Sequence, residues 1–301
     1  MAKKRALILI NNTAGTGHAH GDTFDIIESY AKEGYEPIVY PIIPGTELTS
    51  EKIIEKYKDG VDVIMCVGGD GTLNHVMASV LSLESDDRPP IAYLPSGSTN
   101  DFARSLGISD IREEAIRAAV SGKKFAFDVG MAGDRYFNYV AAFGAFSEIS
   151  YDTDQALKNV FGYAAYVINA VTKLPQNIKY SCGMKIEYDG EEEEGEYVFG
   201  AVSNSISVGG MKLFGKAGGR LNDGKMELLL IRTPKNLSDI NGILSALAGG
   251  NVEHPNISFR QVSGVSFHSR RKVSWTLDGE YGGESRDLDI KILKKAIAIR
   301  V

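Results

Sequence analysis

Val67-Gly68-Gly69-Asp70-Gly71-Thr72-Leu73-Asn74 is the stretch on which the reading of the fold turns. Before it, Val63–Val67 is an uninterrupted apolar run of strand length. After it, Leu73–Leu83 has the spacing of a helix. A glycine-rich turn between a buried strand and a helix suits an anion. Glycines let backbone N–H groups approach with no Cβ in the way, and the helix N-terminus adds partial positive charge. Thr72 and Asn74 offer side-chain hydrogen bonds, and Asp70 is a carboxylate able to hold a divalent cation or orient a hydroxyl. Taken alone, the octet reads equally well as a tight turn with an aspartate cap.

Working outward, the pattern repeats. Ala6–Ile10 is a short apolar run followed by the turn that begins Asn11-Asn12-Thr13-Ala14-Gly15. Ile91–Leu94 is another, followed by Pro95-Ser96-Gly97-Ser98-Thr99-Asn100-Asp101. Between them lie helix-like runs at Thr23–Glu33, Ser50–Lys58 and Ile111–Ser121, and a strand-like run at Glu36–Ile42. This alternation predicts a doubly wound α/β domain with a parallel sheet, and ligands in such sheets bind at the carboxyl ends of strands. Those ends are where the glycine turns fall.

Past Phe125 strand signals dominate: Ala126–Val129, Tyr136–Ala141, Met184–Tyr188, Tyr197–Ser203, Lys225–Ile231, Ile257–Gln261, Val265–His268, Lys272–Leu277 and two closing runs to Val301. Helix-like insertions interrupt them at about Val160–Val171 and Leu237–Ala248. The expectation is a β-rich, sandwich-like second domain, with domains at 1–125 and 126–301. Glu191–Glu194, following Asp189-Gly190, reads as an exposed hairpin tip.

Composition bounds the function. The 301 residues carry a formal charge of −6, which disfavours a nucleic-acid binder. Membrane contact would need a local patch. Cys66 and Cys182 lie in apolar runs without ligand-type neighbours and read as buried thiols in a reducing, cytoplasmic protein. No apolar stretch approaches the roughly 18 residues of a membrane span, so an enzyme acting on lipid would visit the inner face of the membrane transiently. A homodimer is an open expectation. His18 and His20 read as solvated loop residues. Phe143, Phe146, Phe161, Tyr163 and Tyr166 read as core, with an apolar lipid slot as the alternative.

The ordered set of turns resembles the diacylglycerol kinase catalytic-domain family, which includes bacterial lipid kinases and sphingoid-base kinases. Its members read Asn-Pro-x-(Ala/Ser)-Gly, then Gly-Gly-Asp-Gly-Thr, then Pro-x-Gly-Thr-x-Asn-Asp-Phe-Ala-Arg. The likeness continues through Phe127-Asp128-Val129-Gly130, Gly209-Gly210, Lys216-Ala217, Asp223-Gly224-Lys225 and Asp278-Gly279-Glu280. Asn12 replaces the family's proline, and Ser98 its threonine with the hydroxyl kept.

That resemblance implies an NAD kinase/phosphofructokinase-like first domain, an active site in the interdomain cleft, and ATP with Mg²⁺ as cofactors. It also implies transfer of the γ-phosphoryl group to a lipid hydroxyl, diacylglycerol by default. The nucleotide set it implies is Asn11, Asn12, Thr13, Ala14, Gly15, Gly68, Gly69, Asp70, Gly71, Thr72, Leu73, Asn74 and Ser98, with Thr46 beside it. Glu280 is the preferred base, Asp278 its orienting partner or a metal ligand, and Asp70 the rival base. A structural Mg²⁺ is implied at Arg220, Asp223 and Lys225, through carboxylate and carbonyl oxygens. The rival functions are an NAD kinase, which shares the glycine turn, and a non-catalytic nucleotide- or lipid-binding regulator on the same scaffold.

Overall fold

The computed structural model describes residues 3–11, 19–85, 88–97, 100–144, 181–204, 220–248 and 253–301. The chain divides into two units, Met1–Phe127 with Lys295–Val301, and Asp128–Lys294.

In the first unit the apolar runs become central strands because helices cover both faces of the sheet they form. β1 (Lys4–Ile10) lies parallel between β2 (Tyr35–Pro41) and β3 (Val63–Gly68), and β3 pairs in parallel with β4 (Ile91–Pro95). All six residues of β3 are buried. On one face Ala6, Ile8, Val63, Met65, Ala92 and Leu94 pack against Ile26 and Tyr30 of α1 (Ala19–Lys32). Ala115, Ile116 and Ala119 of α5 (Arg112–Ser121) complete that cluster. α3 (Asp70–Leu81) contacts β3 and β4, with α2 (Ser50–Tyr57) beside it, and buries Leu73, Val76, Met77 and Val80. A short α4 (Asp101–Ser105) precedes α5.

The fifth strand of this sheet comes from the far end of the chain. Ile299 and Arg300 pair with Ile91 and Ala92. Arg300 Nη2 donates to Tyr35 Oη at 2.8 Å, and its Nη1 donates to the carbonyl of Val120. These residues are the end of β13 (Glu280–Arg300), a single 21-residue strand where the sequence suggests two runs.

The second unit is antiparallel. β5 (Lys124–Ala132) leads into it and forms a hairpin with β6 (Arg135–Phe137). β7 (Val140–Gly144), β8 (Cys182–Tyr188), β9 (Glu191–Ser203), β10 (Met226–Arg232), β11 (Ile257–Val262) and β12 (Gly264–Leu277) follow. β9 and β12 are long enough to serve two neighbours each along one edge. β8 pairs with the first half of both, and β7 with the second half of both. Inside, Phe143, Phe267 and Trp275 meet edge to face with ring centroids 4.9–5.7 Å apart. Phe143 is therefore core rather than the wall of a lipid slot. α6 (Leu237–Ala248) covers the other side of β7, β9 and β10 through Ile240, Ile243 and Leu247.

Several sequence expectations are corrected here. The run Tyr136–Ala141 is broken into β6 and β7 because the backbone N–H groups of Asn138, Tyr139 and Val140 turn to the Asp278 carboxylate. Glu191–Glu194 is the first part of β9, paired with Lys185–Tyr188, and only Asp189-Gly190 forms the turn. Both turn residues have positive φ, as a two-residue type I′ hairpin requires. Glu193 faces inward and accepts hydrogen bonds from Tyr188, Tyr197, Arg232 and Ser258. The runs Val265–His268 and Lys272–Leu277 are one strand, with an irregularity between His268 and Val273. The helix expected at Val160–Val171 lies outside the described residues.

Candidate active site

Two glycine turns meet at the carboxyl ends of β3 and β4. The Ser96 N–H donates to the Gly68 carbonyl at 2.9 Å, extending the strand pairing into the turns. Gly69 and Gly97 then face each other backbone to backbone. A Cβ on Gly97 would lie 2.6 Å from the Gly69 Cα, and one on Gly69 would lie 3.1 Å from the Gly97 Cα. A Cβ on Gly68 would strike Thr72 at 2.6 Å. Gly97 and Gly68 thus have no room for a side chain, and one on Gly69 would be tight against Gly97.

Asn100 locks the second turn. It adopts a left-handed conformation, φ 50°, in which its side chain accepts from the Gly97 N–H at 3.0 Å and donates to the Gly97 carbonyl at 2.9 Å. The Asp70 carboxylate accepts from the Phe102 N–H at 3.4 Å, joining the first turn of α3 to α4. Asn11 joins the first glycine turn to this pair. Its N–H donates to the Val67 carbonyl at 2.9 Å, and its side-chain amide donates to Thr72 Oγ1 at 2.8 Å. An ion pair missed in the sequence braces the assembly. Arg112, at the start of α5, donates to Asp22 of α1 at 2.6 Å and to the Pro95 carbonyl at 2.7 Å. Leu73 is wholly buried, so its side chain belongs to the core and only its main chain belongs to the turn. Asn12, Thr13, Ala14, Gly15 and Ser98 lie outside the described residues.

Thr46 sits in an exposed loop after β2. Its hydroxyl donates to the Ile43 carbonyl at 2.8 Å and accepts from the Leu48 N–H at 3.1 Å, an arrangement internal to that loop.

In the second unit, Asp278 and Gly279 form the two-residue turn between β12 and β13, with φ of 50° and 85°. The Asp278 side chain is nearly buried, at 7% exposure. It accepts three backbone N–H bonds: Asn138 at 2.7 Å on one oxygen, Tyr139 and Val140 at 3.0 Å on the other. Both oxygens are thus engaged by the main chain, and Asp278 shapes the hairpin on which Glu280 is exposed.

Asp128 adds a group that the sequence motifs do not mark as a site residue, and it is completely buried. Its carboxylate accepts from the Gly224 N–H at 2.5 Å, its own N–H donates to the Leu221 carbonyl at 2.8 Å, and its carbonyl accepts from the Asn204 side chain at 2.6 Å. A lone carboxylate inside the apolar strand Phe127-Asp128-Val129 is the signal that could have found it. Its partner is the turn carrying Arg220, Asp223 and Lys225, in which Asp223 accepts from the Lys225 N–H at 3.0 Å. Arg220 and Lys225 can offer only carbonyls to a cation. With the Asp223 carboxylate, these are hard oxygen donors on an exposed turn, a set that fits Mg²⁺ completed by water. Among the described residues no three His, Cys, Asp or Glu side chains cluster as a metal site.

Comparison with known proteins follows this division of the chain. Residues 5–132 match the diacylglycerol kinase catalytic domain, and residues 141–300 match the YegS C-terminal NAD kinase beta sandwich-like domain. The chain is 32% identical over 288 residues to a diacylglycerol kinase of Staphylococcus aureus (strain bovine RF122 / ET3-1), covering 94% of this chain and 88% of that protein. It is 31% identical to the diacylglycerol kinase of Bacillus subtilis (strain 168), covering 93% and 91%. A crystal structure of a Bacillus anthracis str. Sterne diacylglycerol kinase shares the fold, with a TM-score of 0.74 at 19% identity, over 100% of this chain and 97% of that one. With an α/β unit and a β-rich unit that both match in order and nearly in full, the chain belongs to the diacylglycerol kinase family.

Proposed function

We propose that the chain transfers the γ-phosphoryl group of ATP to the free hydroxyl of diacylglycerol, forming phosphatidic acid. The observation that supports this most is the Gly69–Gly97 approach. It brings the two glycine turns together at the ends of adjacent parallel strands, the place where such sheets take phosphates, with Asp70 beside them. Membership of a kinase family implies ATP as donor. Phosphoryl transfer needs positioning and charge stabilisation more than covalent chemistry. Asn11, the Gly68–Asn74 turn and Ser98 hold the phosphates. Glu280 takes the proton of the acceptor hydroxyl, and Asp278 sets the hairpin that carries Glu280. Mg²⁺, when bound, neutralises phosphate charge, and a second ion at the Asp223 turn stabilises the loop docked on Asp128.

No described helix is long and apolar enough to cross a membrane. A lipid acceptor exposes its hydroxyl at the membrane surface, and that is where the enzyme would meet it.

The test is phosphorylation of diacylglycerol in mixed micelles with labelled ATP, set beside a sphingoid base and NAD, with and without chelator. Diacylglycerol should be the preferred acceptor, activity should require Mg²⁺, and Asp70→Ala should abolish turnover in a folded protein. Preference for NAD, or full activity in Asp70→Ala, would overturn the reading.

A further inference from the structure

Two buried hydroxyls beside the glycine turns have no hydrogen-bond partner among the described residues. They are Tyr93 Oη and Ser96 Oγ. Tyr93 is 1% exposed. A buried hydroxyl without a partner is costly, and such groups concentrate where a ligand or a reacting group completes them.

The register places Tyr93 at the site. It opposes Cys66 across β3 and β4, and two residues later Gly68 opposes Pro95, where the turns begin. Side chains alternate across a strand, so Tyr93 shares a face with Cys66 and Gly68 rather than with Ala92 and Leu94, which belong to the cluster under α1 and α5. The Tyr93 ring therefore lies on the side covered by α3, whose first residue is Asp70. Burial holds the phenol well above its ordinary range, and the Asp70 carboxylate raises it further, so the two groups feel one another. The hydroxyl stays protonated at neutral pH and is able to donate. Ser96 is held to the same turn by its N–H bond to Gly68.

We propose that Tyr93 is a positioning residue of phosphoryl transfer, its buried hydroxyl being the donor that holds the Asp70 carboxylate in its working orientation once nucleotide fills the turns. The proposal rests on the kinase reading above and adds a residue to it. A phenylalanine at position 93 would fill the same space and lose only the donor.

The experiment is Tyr93→Phe, with thermal stability, ATP affinity by calorimetry and kcat on micellar diacylglycerol measured on the same preparations. A positioning role predicts ATP affinity within about twofold of wild type, a kcat about tenfold lower, as expected for one charge-assisted hydrogen bond lost in the transition state, and an unchanged or higher melting temperature. A purely structural hydroxyl predicts a higher melting temperature with kcat unchanged, and that result overturns the proposal. A kcat loss that tracks a lower melting temperature overturns it too. If wild-type protein binds no ATP, the kinase reading fails and the proposal with it. An active wild type with an unaffected variant removes Tyr93 alone.

Discussion

Asp278 and Glu280 stand two residues apart and are held by different means. The Asp278 carboxylate is fastened by three main-chain donors, whereas Glu280 is exposed on the strand that leaves the turn. Their substitutions should separate. Glu280→Gln keeps shape and hydrogen bonding but loses basicity. It should lower kcat by about 10²–10⁴ while ATP affinity by calorimetry is unchanged. Asp278→Asn replaces one acceptor oxygen with an amide that faces an N–H donor. It should cost about 1–3 kcal/mol in denaturant unfolding through unpaired buried groups, with a kcat loss that added Mg²⁺ does not relieve. Relief by Mg²⁺ would instead make Asp278 a metal ligand. The Asp-Gly-Glu motif was legible in the sequence as both a hairpin turn and a functional element. The fastening was not, because the donors lie some 140 positions away.

At the scale of elements, the strand–turn–helix units carry the site. Helix and strand periods are local, which is why Ser50–Tyr57, Asp70–Leu81 and Leu237–Ala248 lie close to where the spacing of apolar residues placed them. The meeting of the two turns is not local. Gly97→Ala would push a methyl to 2.6 Å from the Gly69 Cα. Because both sides of the contact are main chain, relief requires the turns to part. We expect a loss of about 1–3 kcal/mol in stability, the usual cost of overpacking, together with a raised KM for ATP. An unchanged KM would mean that the turn spacing does not matter to the nucleotide. The Arg112–Asp22 pair escaped the sequence reading for the same reason, since 90 residues separate two charges that look like surface residues on α5 and α1.

At the scale of the molecule, the chain passes between its units twice, at Phe127–Asp128 and at Lys294–Lys295. The last seven residues complete the sheet of the unit that the first residues begin. Ile297 and Ile299 are buried there, and Arg300 bonds Tyr35 and the end of α5. Removing 295–301 would strip two buried isoleucines, each costing about 2–5 kcal/mol when cut back, from a unit with a total stability of about 5–15 kcal/mol by the usual range for domains. Deletion should therefore abolish slow amide exchange in β1 and β3 and lower the melting temperature by well over 10 °C, while β8 to β12 stay protected. Retained protection in β1 would show that β13 is dispensable to the first sheet.

The sequence by itself determined the alternation of strands and helices, the glycine turns at the ends of the strands, the change to a β-rich second half, and through the ordered motifs the family. Each of these is written in residues adjacent or one turn apart, where φ/ψ preference and hydrophobic period act. Only the tertiary structure decided which glycines touch, where the Asp278 and Asp128 carboxylates find their donors, that β7 joins β9 to β12, and that the chain's last residues return to its first sheet. These are pairings across some 30 to 265 positions. They are chosen by which groups are left unsatisfied once the elements pack, and no local period records that choice.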